Sequence, residues 1–342
     1  MPRVSSALVE IDHSDWDELL SRLGCADVYL LEGYLASAQV LDGGRPVLLH
    51  YAEAGGDVVF PLLVRELPSG DGVDVTTPYG YGGPVATGPE PPMRRFWELY
   101  GEWCAANGVV TTFIRFHPLF ANQLEADAGV LVEPLAGTVG WRLQLPDLFE
   151  AMHPAHRRAC RRARKAGVTV TVRESAGSLS SFVELYEVTM RRVEASEFYF
   201  FPPGYWGILE SRLRERILLV EAEVEGEVVA SALCFATPPW LHYHLGATAD
   251  RGRALGASNL LFYEAAAWAR ERGFERFHLG GGVSAREDSL LTFKRRFDPE
   301  GGLLDFAVGK AVHDPDAYRA LTGRDPDDLD GFFPAYRAGQ RS

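Results

Sequence analysis

At 342 residues, 46% of them hydrophobic and 24% charged, the chain has the composition of a soluble globular protein with one or two cores. A formal net charge of −13 argues against indiscriminate nucleic-acid binding through bulk positive charge and predicts no DNA partner, so any such contact has to come from a local patch. No window holds the ~18 uninterrupted apolar residues of a membrane helix, and the N-terminus lacks the apolar core of a signal peptide, which predicts a cytoplasmic protein without membrane insertion.

Ser14 to Leu23 reads as a short amphipathic helix, capped by Ser14 and apolar at Trp16, Leu19, Leu20 and Leu23. Tyr29 to Tyr34 is an apolar, aromatic stretch, and Cys25 beside it is the first of four cysteines. Cys25, Cys104, Cys160 and Cys234 stand far apart, which predicts free thiols and no zinc site. Arg45 to Ala52 and Val58 to Leu67 read as a hairpin around Gly55-Gly56-Asp57. The short strand Val73 to Thr77 runs into Pro78-Tyr79-Gly80-Tyr81-Gly82-Gly83-Pro84. Such a loop lets backbone approach a ligand, with Tyr79 and Tyr81 offering ring faces and hydroxyls; an ordinary tight turn is the competing account. A helix from Met93 to Asn107 stops at Gly108, and the strand Val109 to Phe116 ends in Arg115-Phe116-His117.

Past Pro146 comes a basic helix, His153 to Gly167. It carries Arg157, Arg158, Arg161, Arg162, Arg164 and Lys165 with no acid, so it gains like-charge repulsion where a solvated helix gains i,i+4 pairs. That predicts contact with phosphates, from a diphosphate or an RNA backbone; pairing with surface acids elsewhere is the alternative. Val168 to Val172 is a strand, Ser178 to Arg192 a helix ending on Thr189 and Arg192, and Glu197 to Tyr205 an aromatic loop containing Tyr199. Ile217 to Glu223 and Val228 to Phe235 form a hairpin.

From Trp240 to Phe297 the pattern is strand, polar loop over Asp250 to Gly256, helix over Ala257 to Arg272, strand over Phe274 to Leu279, glycine turn and short helix. Strand, helix, strand without a hairpin turn is a right-handed parallel crossover, and such units bind ligands beyond the carboxyl ends of their strands. Arg276-Phe277-His278 repeats the tripeptide at Arg115 after a similar helix, 161 residues on, which predicts an internal duplication. Only three lysines occur, and Lys294 lies in the last short helix.

Taken together, these segments resemble the FemABX-type aminoacyltransferases. The resemblance rests on the order of several features: the basic helix ending in Ala166-Gly167-Val168, the Thr189/Arg192 helix with its aromatic loop, His244-Leu245-Gly246-Ala247-Thr248, the Trp268 to Gly273 helix end, the glycines after Leu279, and Phe293-Lys294 with Phe297. Tyr79 to Pro84 and Arg115 to Asn122 are similar to first-domain segments of that group. The resemblance implies an α/β fold with α+β mixed sheets in two tandem GNAT-like acyltransferase domains, residues 1–146 and 147–310, with the tail 311–342 packing back on the first. It implies transfer of an aminoacyl group from aminoacyl-tRNA to an amine, on a peptidoglycan precursor or a small specialised metabolite. Two positions depart from the pattern: His278 stands where Asp is common, and Asp298 where Gly is usual.

The chemistry follows from the bond made. An ester of tRNA is already activated, so no cofactor or metal is needed. The attacking amine must be neutral, which calls for a proton acceptor, and the tetrahedral oxyanion needs a cation or amide donors. Lys294 is assigned to the oxyanion, or to an acceptor carboxylate, with Asp288 and His278 as candidate bases. Tyr79, Tyr81, Arg115, His117, Arg192, Tyr199, Tyr243 and Asn259 are expected to bind substrate, and the basic helix to receive the tRNA stem or a diphosphate. One alternative is an N-acyltransferase using acyl-CoA, for which Arg253-Ala254-Leu255-Gly256-Ala257-Ser258 approaches a pyrophosphate-loop pattern but ends in Ser. Another is a non-catalytic binding protein on the same fold.

Overall fold

A computed structural model of the chain describes residues 7–282 and 288–339. The first six residues, on which the signal-peptide reading partly rests, lie outside the described residues. The chain forms two compact units, Met1–Leu135 with Phe306–Ser342, and Ala136–Asp305. The first begins with β1 (Val9–Glu10), α1 (Trp16–Arg22), α2 (Glu32–Asp42), β2 (Arg45–Glu53) and β3 (Gly56–Glu66). It continues through β4 (Val73–Thr76), β5 (Val85–Thr87), α3 (Met93–Ala106), β6 (Val109–Arg115) and β7 (Leu131–Pro134). The second holds β8 (Val139–Arg142), α4 (Leu148–Ala151), α5 (Pro154–Lys165), β9 (Thr169–Glu174), α6 (Ser180–Arg192) and α7 (Pro203–Arg212). Then come β10 (Ile217–Val224), β11 (Glu227–Thr237), β12 (Trp240–Thr248), α8 (Asp250–Leu255), α9 (Ala257–Glu271), β13 (Arg276–Gly280) and α10 (Ser289–Arg295). The chain returns to the first unit with β14 (Ala307–Val312) and α11 (Pro315–Thr322).

Among the described residues, the first unit has a sheet in the order β1-β2-β3-β4-β6-β14-β7, with β5 on β3. β4 and β6 are parallel, joined by α3, whose Phe96, Trp97, Tyr100 and Cys104 are buried at helical spacing. β14 lies between β6 and β7, antiparallel to both, with Val308 opposite Arg115 on one side and Glu133 on the other. The second unit's sheet runs β8-β13-β12-β11-β10-β9. Its core is built by α9, through Leu260, Leu261, Ala265, Ala266 and Ala269, against Leu218, Val220, Leu241 and Phe277.

The units divide at Leu135 and Phe306, a few residues ahead of the expected boundaries at 146 and 310. The reason is pairing: β8, ahead of Pro146, joins β13, and all of β14 joins the first sheet. Each unit contains a parallel strand pair bridged by a helix, β4–α3–β6 and β12–α9–β13. The repeated tripeptide does not mark the repeat, however. Arg115 is the last residue of β6 and Arg276 the first of β13. The expected loop Asp250 to Gly256 is largely the helix α8, whose buried residue is Gly252, so it shows no apolar periodicity.

Two features of the second sheet position the site. β12 and β13 pair from Trp240–Arg276 to His242–His278, and among the described residues no strand lies on that edge beside Tyr243 to Thr248. Asp298, two residues past Arg296, is buried and accepts from Arg142 of β8 through its backbone N (3.1 Å), Nε and Nη2 (both 2.8 Å). This bidentate pair accounts for an acid where the family pattern favours glycine, because it fastens the end of α10 to the sheet. Asp298→Gly is expected to destabilise the protein by about 1–3 kcal/mol, lowering Tm in thermal denaturation, since Arg142 loses its partner and the N–H of Arg142 its acceptor.

Candidate active site

A cavity of about 370 Å³ lies along the unpaired edge of β12. β12 gives it Tyr243, Gly246 and Thr248, β11 gives Ser231, α6 gives Thr189 and Arg192, the α8–α9 turn gives Arg253, Gly256 and Ser258, and α10 gives Phe293 and Lys294. Among the described residues its walls carry three cationic side chains, Arg192, Arg253 and Lys294, and no carboxylate. The cavity therefore favours an oxygen-rich or anionic ligand.

Lys294 is the chemical centre. Its side chain is buried, and Nζ donates to Gly281 O at 2.7 Å and sits 5.2 Å from the centroid of the Tyr243 ring. Burial lowers its pKa from 10.5 to about 7, with the charge of Asp288 pulling partly the other way. At neutral pH the amine is thus held near the midpoint of its titration, which suits proton transfer. Tyr243 Oη lies against Gly246, and a methyl group there would collide with it, so glycine keeps that hydroxyl in place.

The other end of the cavity is built for an anion. Gly256 has φ +80° and begins the fifteen-residue helix α9 without a side-chain cap, leaving amide donors at its first turn. Arg253 lines the same wall, and Arg162 of α5 reaches it by donating from Nε to Leu255 O (3.3 Å). α5 is tied at its other end to α10: His156 Nε2 contacts Phe293 O at 2.9 Å, and His153 N donates to Arg296 O at 2.9 Å. The basic helix therefore spans both walls of the site.

Its charges divide into two sets. Arg157 and Arg161 pair with Glu150, and Arg164 with Glu264 (2.7 Å), so these three already have acidic partners, as the alternative account of the helix predicts. Arg158, Arg162 and Lys165 are exposed and are the cations left to an external anion.

The remaining expected residues are placed as follows. Asn259 lines the cavity with Arg192 and Tyr243. Asp288 caps α10, its Oδ1 accepting from Leu291 N at 2.8 Å. His278 does not line the cavity. It is buried in β13, where Nε2 contacts Thr138 Oγ1 (2.9 Å) and Nδ1 faces His242 Nδ1 (3.4 Å). Tyr199 is half-buried, and its carbonyl accepts from Tyr186 Oη at 3.0 Å. In the first unit, Tyr81 packs on His117 (5.6 Å), and the Tyr79 carbonyl accepts from Tyr34 Oη (2.6 Å). Arg115 donates to Thr77 O (3.0 Å). His117 accepts from Leu119 N through Nδ1 (3.3 Å), so Nε2 carries the proton toward Asp27 (3.2 Å), and both ring nitrogens are engaged. Of the wall residues, Arg192, Tyr243, Asn259 and Lys294 are named from the sequence, Gly246 and Arg253 stand out there only within longer patterns, and Ser231 gives no signal.

Residues 154–295 match the family model described as the acetyltransferase (GNAT) domain. The second unit is thus a GNAT-type acyltransferase domain, and the chain an acyltransferase. The whole fold is shared with FemX, at 14% identity and a TM-score of 0.68, over 92% of this chain and 99% of that one. It is similar also to a tandem GNAT protein from the clavulanic acid biosynthesis pathway (11% identity, TM-score 0.55, 90% of this chain and 98% of that one). A further likeness is to the C-terminal domain of a putative lysylphosphatidylglycerol synthetase from Agrobacterium fabrum (15% identity, TM-score 0.57, 90% and 94%). No curated protein matches the chain in sequence. Among the described residues no helix is long and apolar enough to cross a membrane.

Proposed function

We propose that the chain is an aminoacyltransferase that moves an aminoacyl group from aminoacyl-tRNA to the amine of a peptidoglycan-precursor peptide or a small metabolite. The observation that carries this reading is Lys294, a buried amine titrating near neutrality on a cavity wall with no carboxylate among the described residues, at one end of a helix whose Arg158, Arg162 and Lys165 are exposed and meet no acid among those residues. The acceptor amine adds to the ester carbonyl, and neutral Lys294 takes the proton that the new C–N bond makes acidic. The carbonyl oxygen becomes an oxyanion, which the resulting ammonium and the Tyr243 hydroxyl stabilise. As the C–O bond breaks, Lys294 returns its proton to the departing ribose oxygen. Lys294 is then base and acid in turn, a wider role than oxyanion support alone. The exposed cations Arg158, Arg162 and Lys165 hold the tRNA backbone beside the cavity. Assay of the full chain against tRNA charged separately with each of the twenty amino acids, with amine acceptors, tests the reading; no transfer from any of them removes it.

A second donor is favoured by one observation, the open start of α9 with Arg253 beside it, a site for a pyrophosphate. On the tRNA reading, calorimetric titration with acetyl-CoA is expected to give no saturable heat in the micromolar range. Micromolar binding would make acyl-CoA the donor.

A further inference from the structure

Of the five buried side-chain N or O atoms without a protein partner among the described residues, two belong to residues on the wall of this one cavity: Arg192 Nε and Ser231 Oγ. Ser231 is 2% exposed and sits in the middle of β11. Buried polar groups are ordinarily satisfied, and each one that is not costs stability. Two such atoms on wall residues of one cavity point to a ligand that completes them.

The guanidinium geometry narrows that ligand. Arg192 uses Nη1 to meet Asp250 Oδ1 at 3.1 Å, and Asp250 is 79% exposed, so the pair is well screened. Nε and Nη2 form the other edge of the fork, the edge that takes a carboxylate with two parallel hydrogen bonds. Thr189 fixes the position of this edge. Its hydroxyl donates to Leu185 O (2.8 Å) and accepts from Thr248 N (3.2 Å), which ties the last turn of α6 to the unpaired edge of β12, three residues before Arg192. Ser231 adds a further hydroxyl donor on the neighbouring strand, and its side chain lies on the face of β11 opposite to the core residues Ala230 and Ala232. The start of α9, with its main-chain amides and Arg253, is a separate part of the wall that a phosphate would prefer.

We propose that Arg192 and Ser231 form a carboxylate receptor, so that one substrate of the transfer enters the cavity with a free carboxylate, as an amino acid or the C-terminus of a short peptide. The proposal rests on the reading above in taking this cavity as the acyl-transfer site.

The test is calorimetric titration of the full chain with a panel of free amino acids and dipeptides, each beside its C-terminal amide, and with inorganic phosphate. At least one free acid should bind saturably, its amide ~10-fold or more weakly. Arg192→Lys, which keeps the charge beside Asp250 but loses the fork, should weaken the acid ~10-fold or more. Ser231→Ala should also weaken it, and at the same time raise the Tm of the ligand-free protein, because it removes an unsatisfied buried hydroxyl; a merely structural serine would lower Tm. Equal binding of acid and amide, no saturable binding of any acid below ~10 mM, indifference to Arg192→Lys, or tighter Arg192-dependent binding of phosphate than of every acid would each overturn the assignment. Carboxylate binding without transfer from any charged tRNA or acyl-CoA would sink the aminoacyltransferase reading and leave this receptor standing. Transfer to acceptors regardless of their carboxylate would do the reverse.

Discussion

Lys294→Met should slow transfer by orders of magnitude and make the protein more stable. Loss of a group that shuttles a proton in the transition state costs about 10²–10⁴ in kcat/KM. The gain in stability follows from the pKa. The unfolded lysine holds its proton up to 10.5, whereas the folded one releases it at about 7. Between those values the unfolded chain binds more protons, so the wild type gains stability as pH rises from 7 to 10.5, and below 7 it carries the full penalty. At one pKa unit per ~1.4 kcal/mol that penalty is on the order of 5 kcal/mol, reduced in the substitution by loss of the hydrogen bond to Gly281. Thermal denaturation at pH 6 should show a higher Tm for Lys294→Met, with the difference shrinking toward pH 10. As a proton acceptor, Lys294 should make wild-type kcat/KM rise with pH through an apparent pKa near 7. A rate that falls through that range would assign catalysis to the charged amine instead. With three lysines in the chain, NMR of ¹³C-labelled lysine resolves this titration directly.

Charge reversal on the outer face of α5 should have the second largest effect. Glu at Arg158, Arg162 and Lys165 should weaken binding of charged tRNA by about 10²–10³ at low salt and flatten the log–log salt dependence by about 2–3, one step per lost phosphate contact. The same changes at Arg157, Arg161 and Arg164 should instead lower Tm, because they set Glu against Glu150 and Glu264. Unchanged tRNA affinity in the first triple variant would take α5 out of the donor site.

This division of the arginines shows what the sequence could not carry. Six cations on one helix were legible as an anion-binding candidate, but which of them are spent on acids depends on Glu150 and Glu264, and only the fold brings the distant Glu264 to the helix. The two-unit plan and most regular elements were readable, because α3, α9 and the hairpins carry clean periodicities. β8 and β14 were not, being short strands whose partners lie far along the chain. Lys294 stood out by type and rarity, yet its depressed pKa comes from burial between Tyr243 and Gly281, which no spacing reports. Ser231 is one polar letter in an apolar strand, and its meaning arises only from having no partner where a cavity begins.

The place of β14 bears on how the chain is made. Among the described residues β7 pairs only with β14, and β14 follows the whole of residues 136–305. At a synthesis rate of ~5–20 residues per second, β7 leaves the ribosome on the order of 10–30 s before its neighbour does. The unit that is translated first is thus the one completed last, and in the interval the exposed edge of β6 is the part of the nascent chain open to mispairing. Truncation ahead of β14 would therefore damage the first unit, while residues 136–305 would already have been made.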